Sequence, residues 1–115
     1  MKYLRGRNAV EDLTYEIPTS AKVADMLPDL ERGYALAVKR AGGVWMITYA
    51  GSIQSAMRTY RAQKRMSKAY PELAGEWSEY SDGIVYGANL SLYPHRHTEW
   101  YAAGVIVDEE EEKAE

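Results

Sequence analysis

The sequence predicts a single α+β domain, with a mostly antiparallel sheet of about five strands and two to three helices on one face. Its 115 residues, 46% of them hydrophobic, suffice for one domain with its own core. Five runs have strand-like patterns, three with alternating side chains and two rich in β-forming residues, and segments between them show helical spacing of 3 and 4. The order strand, helix, hairpin, helix pair, hairpin is typical of an α+β fold. We assign residues 1–107 to this domain and 108–115 to a flexible acidic tail.

The first predicted elements are a strand at residues 13–17 and a helix directly after it. Apolar and polar residues alternate over this strand, which ends at Pro18. Thr19 or Ser20 can cap the helix, because a hydroxyl oxygen there accepts a hydrogen bond from a free backbone N–H. Pro28 should kink this helix or split it. The helix is predicted from apolar residues at positions i, i+3, i+4 and i+7: Val23, Met26, Leu27 and Leu30.

A hairpin and the longest helix follow. Residues 34–38 and 44–50 are rich in β-forming residues, and Gly42-Gly43 between them is typical of a tight turn. The helix spans residues 52–69, is opened by Gly51-Ser52 and ends before Pro71. Its apolar face is formed by Ile53, Ala56, Met57 and Tyr60.

A short helix and a second hairpin complete the predicted domain. The short helix starts at Pro71, and its apolar face holds Leu73, Trp77 and Tyr80. Two long strands at 84–92 and 100–107 flank a loop at 93–97. Strict alternation in the second strand predicts one face with Tyr101, Ala103, Val105 and Val107, and the other with Trp100, Ala102, Gly104 and Ile106.

Charge is strongly segregated along the chain, although the net charge is only −3. Residues 34–70 contain seven basic residues and no acidic one. At 100° per residue, four basic residues of the long helix share an arc of about 80°. Such a stripe is suited to contact phosphates, an acidic protein surface or the chain's own tail. Alternatively, it is a solvated face, where the aliphatic parts of the side chains cover the edge of the core and the charged ends lie in water. The candidate macromolecule-binding residues are Arg58, Arg61, Lys64, Arg65 and Lys68.

The aromatic residues of the first hairpin are further candidates for contact with nucleic acid. Trp45 and Tyr49 are able to stack on bases if their strand face is open. Their alternation with Ile47 favours core packing instead.

The acidic tail is a second candidate binding element. Its charge has three physical uses: to keep the chain soluble, to fold back on the basic helix, or to imitate phosphates toward a basic partner. The candidate partner-binding residues are Asp108, Glu109, Glu110, Glu111 and Glu112.

Two histidines are the weak candidates for a metal site. His95, His97 and Glu99 have suitable ligand chemistry, but on one extended strand the outer two lie about 13 Å apart. We therefore expect no metal and no other cofactor. The chain also lacks cysteine and the common phosphate-loop, hydrolase and zinc-protease motifs, so we expect no enzyme.

These observations favour a small non-enzymatic binding protein that acts through a charged surface. The leading hypothesis is a cytoplasmic inhibitor or adaptor of a nucleic-acid-handling protein, with a protein partner that presents a basic surface. An accessory protein of a phage or mobile element would fit it. The alternative is direct DNA or RNA binding by the helix at 52–69, with the acidic tail as an intramolecular competitor. No membrane contact is expected, because no apolar run approaches 18 residues.

Overall fold

The protein is an α+β fold with an antiparallel sheet, as seen in a computed structural model that describes residues 2–27, 32–39, 44–70, 83–91 and 97–108. Within these residues the strand order is β1-β5-β4-β2-β3, and every neighbouring pair is antiparallel. This confirms the predicted α+β class with an antiparallel sheet. The elements are β1 (Lys2–Arg5), α1 (Arg7–Glu11), α2 (Ser20–Met26), β2 (Tyr34–Lys39), β3 (Trp45–Ala50), α3 (Ile53–Ala69), β4 (Gly83–Ser91) and β5 (His97–Asp108).

The strands of the two hairpins lie where the sequence predicts them, and the strand at 13–17 does not form. The alternation in that segment is real, because Leu13, Tyr15 and Ile17 are half-buried and the residues between them are exposed. However, the segment packs over a face of the sheet and pairs with none of the described strands. The fifth strand is instead β1, which pairs with the end of β5. An alternating pattern reports which side chains are buried, and not whether the backbone has a partner strand.

Helices cover both faces of the sheet, so the predicted placement on one face is wrong. On one side, which we call the α3 face, Leu36 and Val85 pack against Ala56 and Tyr60 of α3. The opposite side, the α2 face, is covered by α1, α2 and the segment between them. The physical reason lies in β2, where successive apolar residues point to opposite faces and all need cover. The fully buried residues of β2 are Ala35, Leu36, Ala37 and Val38.

The segment before α2 and the first residue of α2 are each held to the sheet by a long-range hydrogen bond. The Tyr86 hydroxyl donates to the Pro18 carbonyl at 2.7 Å, and this contact is buried. The backbone N–H of Trp100 donates to the Ser20 hydroxyl at 2.8 Å. The helix itself is capped by Thr19 and ends at Met26, two residues before Pro28. The helix break at the proline, the Gly42-Gly43 turn and the short helix after Pro71 lie outside the described residues.

A β-bulge changes which side chains of β5 share a face. Val85 pairs with Gly104 and Tyr86 with Ala102, so Ala103 is the extra residue. Residues on the two sides of a bulge exchange faces relative to a regular strand. The predicted face grouping of β5 is therefore wrong across the bulge, and Trp100 and Val105 share the α2-face core. A pairing irregularity of this kind leaves no mark in the hydrophobic pattern.

The predicted long helix is confirmed as α3, with both ends well defined. The Ser52 hydroxyl accepts a hydrogen bond from the Ser55 N–H at 3.0 Å, which satisfies one free donor of the first turn. At the other end, the Tyr70 N–H donates to the Met66 carbonyl at 2.9 Å. The apolar positions Ala56 and Tyr60 are buried as the spacing predicts.

Replacing the cap of α3 tests how much this end stabilises the fold. We expect Ser52→Ala to lower the free energy of unfolding by about 1 kcal/mol, because the Ser55 N–H loses its acceptor. Ser52→Gly is the matched control and should cost only a few tenths of a kcal/mol. Urea denaturation followed by circular dichroism measures both. Equal losses in the two variants would show that the side-chain cap does not act as described.

Candidate functional site

The outer face of α3 carries a row of basic side chains, which we call the basic stripe. Its residues are all exposed, and the buried residues of α3 lie on the opposite side of the helix. Helical periodicity explains this, because a 100° step places the centre of the stripe about 140° from the buried residues of the helix. The stripe consists of Arg58, Arg61, Arg65 and Lys68.

Lys64 belongs to the border of the stripe and not to its exposed row. Its side chain is half-buried, and its ammonium nitrogen lies 5.9 Å from the ring centroid of Tyr60. A cation at this distance over an aromatic ring is attracted by the ring's negative face. Of the five basic residues that the sequence singles out on this helix, Lys64 is thus the one held against the core.

The stripe is a straight row of positive charge that has no ion pair among the described residues. Spacings of 3, 4 and 3 residues correspond to rises of about 4.5, 6 and 4.5 Å, or about 15 Å from Arg58 to Lys68. The helix contains no acidic residue. Among the described residues, none of the four stripe side chains takes part in an ion pair. The stripe therefore presents four exposed cations to solvent or to a partner.

Trp45, Ile47 and Tyr49 alternate along β3 and share one face of the strand, but they differ in burial. Ile47 is buried in the α2-face core, Trp45 is half-buried beside it, and Tyr49 is 46% exposed. The prediction of core packing therefore holds fully for Ile47 and partly for Trp45, but not for Tyr49. Tyr49 lies over Gly33, where a Cβ would come within 2.7 Å of the tyrosine ring, and the φ of 120° also favours glycine.

Sequence reasoning missed a cleft on the α2 face, at the end of β2 and β3. It has a volume of about 510 Å³ and lies between Trp45 and Lys39 on one side and the segment before α2 on the other. Lys39 and Trp45 face each other across the hairpin in the observed register. The sequence predicts that hairpin, but pairing about a two-residue turn at Gly42-Gly43 would place Arg40 opposite Trp45, so the sequence alone does not bring Lys39 and Trp45 together. No local pattern indicates that residues 16–19 form the second wall.

Of the other predicted site residues, only Asp108 and His97 are among the described residues. Asp108 is the last residue of β5 and pairs with Lys2, whereas Glu109, Glu110, Glu111 and Glu112 lie outside the described residues. His97 begins β5 and pairs with Ser91, but His95 lies outside. Among the residues that the structure describes, no group of three or more His, Asp or Glu side chains could hold a metal ion.

The fold and the stripe together define an α+β protein of three layers with a cationic helix on its outer surface. Comparison with models of protein families, with curated proteins and with solved structures gives no match to this chain. The described helices include none that is both long and apolar enough to cross a membrane. We therefore infer function from the physical chemistry of the described surfaces.

Proposed function

We propose that this protein binds nucleic acid, and that the basic stripe of α3 contacts the phosphate backbone. The observation that carries the proposal is the row of four exposed cations without an ion pair among the described residues. Three of the four are arginines, whose planar guanidinium groups offer several donors to phosphate oxygens. Release of the counterions condensed on the nucleic acid supplies the affinity.

The dimensions of the stripe support a contact along one strand. Duplex DNA carries one phosphate per about 3.4 Å of each strand along its axis, so a row of 15 Å faces about four phosphates. The four cations succeed one another at comparable distances. Contacts of this kind carry no sequence information, so we expect little preference among sequences of equal length.

The inhibitor or adaptor hypothesis stays a second proposal with a different physical basis. It assigns the contact to acidic residues that would engage the basic groove of a nucleic-acid-handling protein. Glu109 to Glu112 lie outside the described residues, so the described geometry adds nothing to it. The two hypotheses differ in the sign of the charged surface that binds, and one experiment separates them.

That experiment is a salt titration of oligonucleotide binding. Fluorescence anisotropy of labelled duplex and single-stranded oligonucleotides is measured with the full chain between about 50 and 200 mM salt. Four phosphate contacts predict a slope of log Kobs against log salt of about −3.6 on duplex DNA, which is roughly a 150-fold loss of affinity over that range. A single-stranded ligand should give a shallower slope, of about −2.8.

Charge-matched variants show whether the stripe makes the phosphate contacts that produce this salt dependence. Arg61→Gln/Arg65→Gln removes two cations from the stripe and should reduce the duplex slope by about 1.8. For a control matched in charge, Arg61→Gln alone should reduce the slope by about 0.9, whereas Arg32→Gln, which removes one charge from an exposed residue outside α3, should leave the slope unchanged. Equal effects of these two single variants would show that net charge, and not the stripe, determines binding.

The tail hypotheses are tested with a chain that ends at Val107. If the acidic tail competes for the stripe, this chain should bind the oligonucleotides more tightly than the full chain. Failure of both chains to bind at low salt would contradict the proposal and favour a protein partner. In that case, replacing Glu109 to Glu112 by glutamine should weaken the complex with the partner.

A further inference from the structure

The cleft on the α2 face has walls that the fold holds in place. One wall is the end of the β2–β3 pair, where Lys39 and Trp45 lie directly opposite each other. The other wall is the segment before α2, which the buried hydrogen bond from Tyr86 to Pro18 ties to the sheet. Ile17 of this segment also packs against the α2-face core. Because both walls are anchored, the cleft is a preformed feature of the surface.

An aromatic pair forms the apolar part of this region. The rings of Tyr15 and Trp45 have centroids 6.2 Å apart and an interplanar angle of 33°. Trp45 is half-buried and lines the cleft, so part of its ring system is available to a ligand. An indole is the side chain best suited to stack on a planar heterocycle.

The polar part of the cleft is cationic. Lys22 and Lys39 both line it, and Glu16 is the one acidic residue among its described lining residues. The ammonium nitrogen of Lys39 lies 5.2 Å from the ring centroid of Tyr15, which places a positive charge beside the aromatic pair. Among the described residues neither lysine takes part in an ion pair.

We propose that this cleft binds a mononucleotide, with the base against Trp45 and the phosphate between Lys22 and Lys39. Its volume of about 510 Å³ lies within the range of about 300–1,000 Å³ found for small-molecule sites. Two cations near an aromatic ring match a ligand that joins a planar ring to a dianionic group. The Glu16 carboxylate can accept a hydrogen bond from a ribose hydroxyl or an exocyclic amino group.

This proposal is independent of the proposed function. The cleft lies on the α2 face, whereas the basic stripe lies beyond the opposite face of the sheet. Binding at one surface therefore needs no residue of the other. Variants of the stripe and of the cleft can each act as the control for the other site.

The test is a titration of the full chain with AMP, adenosine and inorganic phosphate, followed by NMR. The readout is the indole N–H signal of Trp45, assigned by its loss in Trp45→Leu. We expect AMP to shift this signal with the tightest Kd, because it alone supplies both the ring and the phosphate. Lys22→Gln/Lys39→Gln should weaken AMP binding by at least tenfold and leave adenosine binding unchanged within about twofold.

The stacking contact is tested separately from the charges. Trp45→Leu should weaken AMP and adenosine by about tenfold each, because both lose the aromatic surface; AMP binding is then followed by calorimetry. Arg61→Gln/Arg65→Gln on α3 is the control and should leave AMP binding unchanged.

Two outcomes would overturn the proposal. One is the absence of any shift of Trp45 at millimolar AMP, and the other is equal affinity for AMP and adenosine. The lysine variants keep the test valid if Trp45→Leu fails to fold, since their changes lie at the cleft surface. Loss of oligonucleotide binding in the stripe variants with intact AMP binding would support both sites separately.

Discussion

Truncation of Leu36 to alanine is expected to lower the free energy of unfolding by about 2–5 kcal/mol. Leu36 is fully buried on the α3 face, where it packs in one cluster with Tyr60 of α3 and Val85 of β4. The variant loses the transfer free energy of the deleted methyl groups, and a cavity remains between the sheet and α3. Since a domain of this size is stable by only about 5–15 kcal/mol, this loss is a large share of the total.

The neighbouring residue across the strand pair supplies the control. Thr48 lies opposite Leu36 in β3 and is exposed, so Thr48→Ala should change the free energy of unfolding by about 0.5 kcal/mol or less. Urea denaturation with far-ultraviolet circular dichroism measures both variants. Similar losses for Leu36→Ala and Thr48→Ala would contradict the described packing of α3 on the sheet.

Replacement of Tyr86 by phenylalanine is expected to cost about 1–3 kcal/mol. The Tyr86 side chain is 2% exposed, and its hydroxyl donates to the Pro18 carbonyl at 2.7 Å. Phenylalanine keeps the ring but leaves this buried carbonyl without its donor, which costs the desolvation energy of the carbonyl. Because the same bond anchors the segment before α2, the variant should also loosen one wall of the cleft.

The same residue gives a dependence of stability on pH. Burial raises the pKa of the Tyr86 hydroxyl well above its ordinary value of 10. Above pH 10 the unfolded chain therefore loses this proton while the folded protein keeps it. Below pH 10 the contribution of this group to the free energy of unfolding is complete. It falls as pH rises further, by up to about 1.4 kcal/mol per pH unit from this group.

Comparison of the wild type with Tyr86→Phe isolates this effect from other titrating groups. The stability difference between the two proteins should be constant from about pH 7 to about pH 9 and should shrink between about pH 10 and pH 11. Tyr49→Phe is the control, because Tyr49 is exposed. A difference that stays constant up to pH 11 would show that Tyr86 titrates alike in the folded and unfolded states.

The basic stripe is a candidate site that a local sequence pattern predicts. The 3-4-3 spacing of Arg58, Arg61, Arg65 and Lys68 predicts a shared helix face, and the structure places all four on the exposed side of α3. The cleft could not be predicted in this way. Its walls are 23 residues apart between Lys22 and Trp45, and only the packing of the segment before α2 brings them together.

Short-range signals determined α3 and the strands of both hairpins. Their boundaries depend on nearby residues: the Ser52 cap, the helical spacing of Ala56 and Tyr60, and the runs of β-forming residues on the two sides of each hairpin loop. Hydrogen bonds within a helix and turns between adjacent strands connect residues close in sequence, so the local pattern contains the information.

Tertiary structure alone decided which sheet face each helix covers, the role of residues 13–17 and the bulge at Ala103. Each depends on contacts between segments far apart in the chain, such as the bond from Tyr86 to Pro18. A half-buried extended segment has the same hydrophobic pattern at a sheet edge and over a sheet face. Packing distinguishes these arrangements, because β2 is apolar on both faces and its second face must also be removed from water.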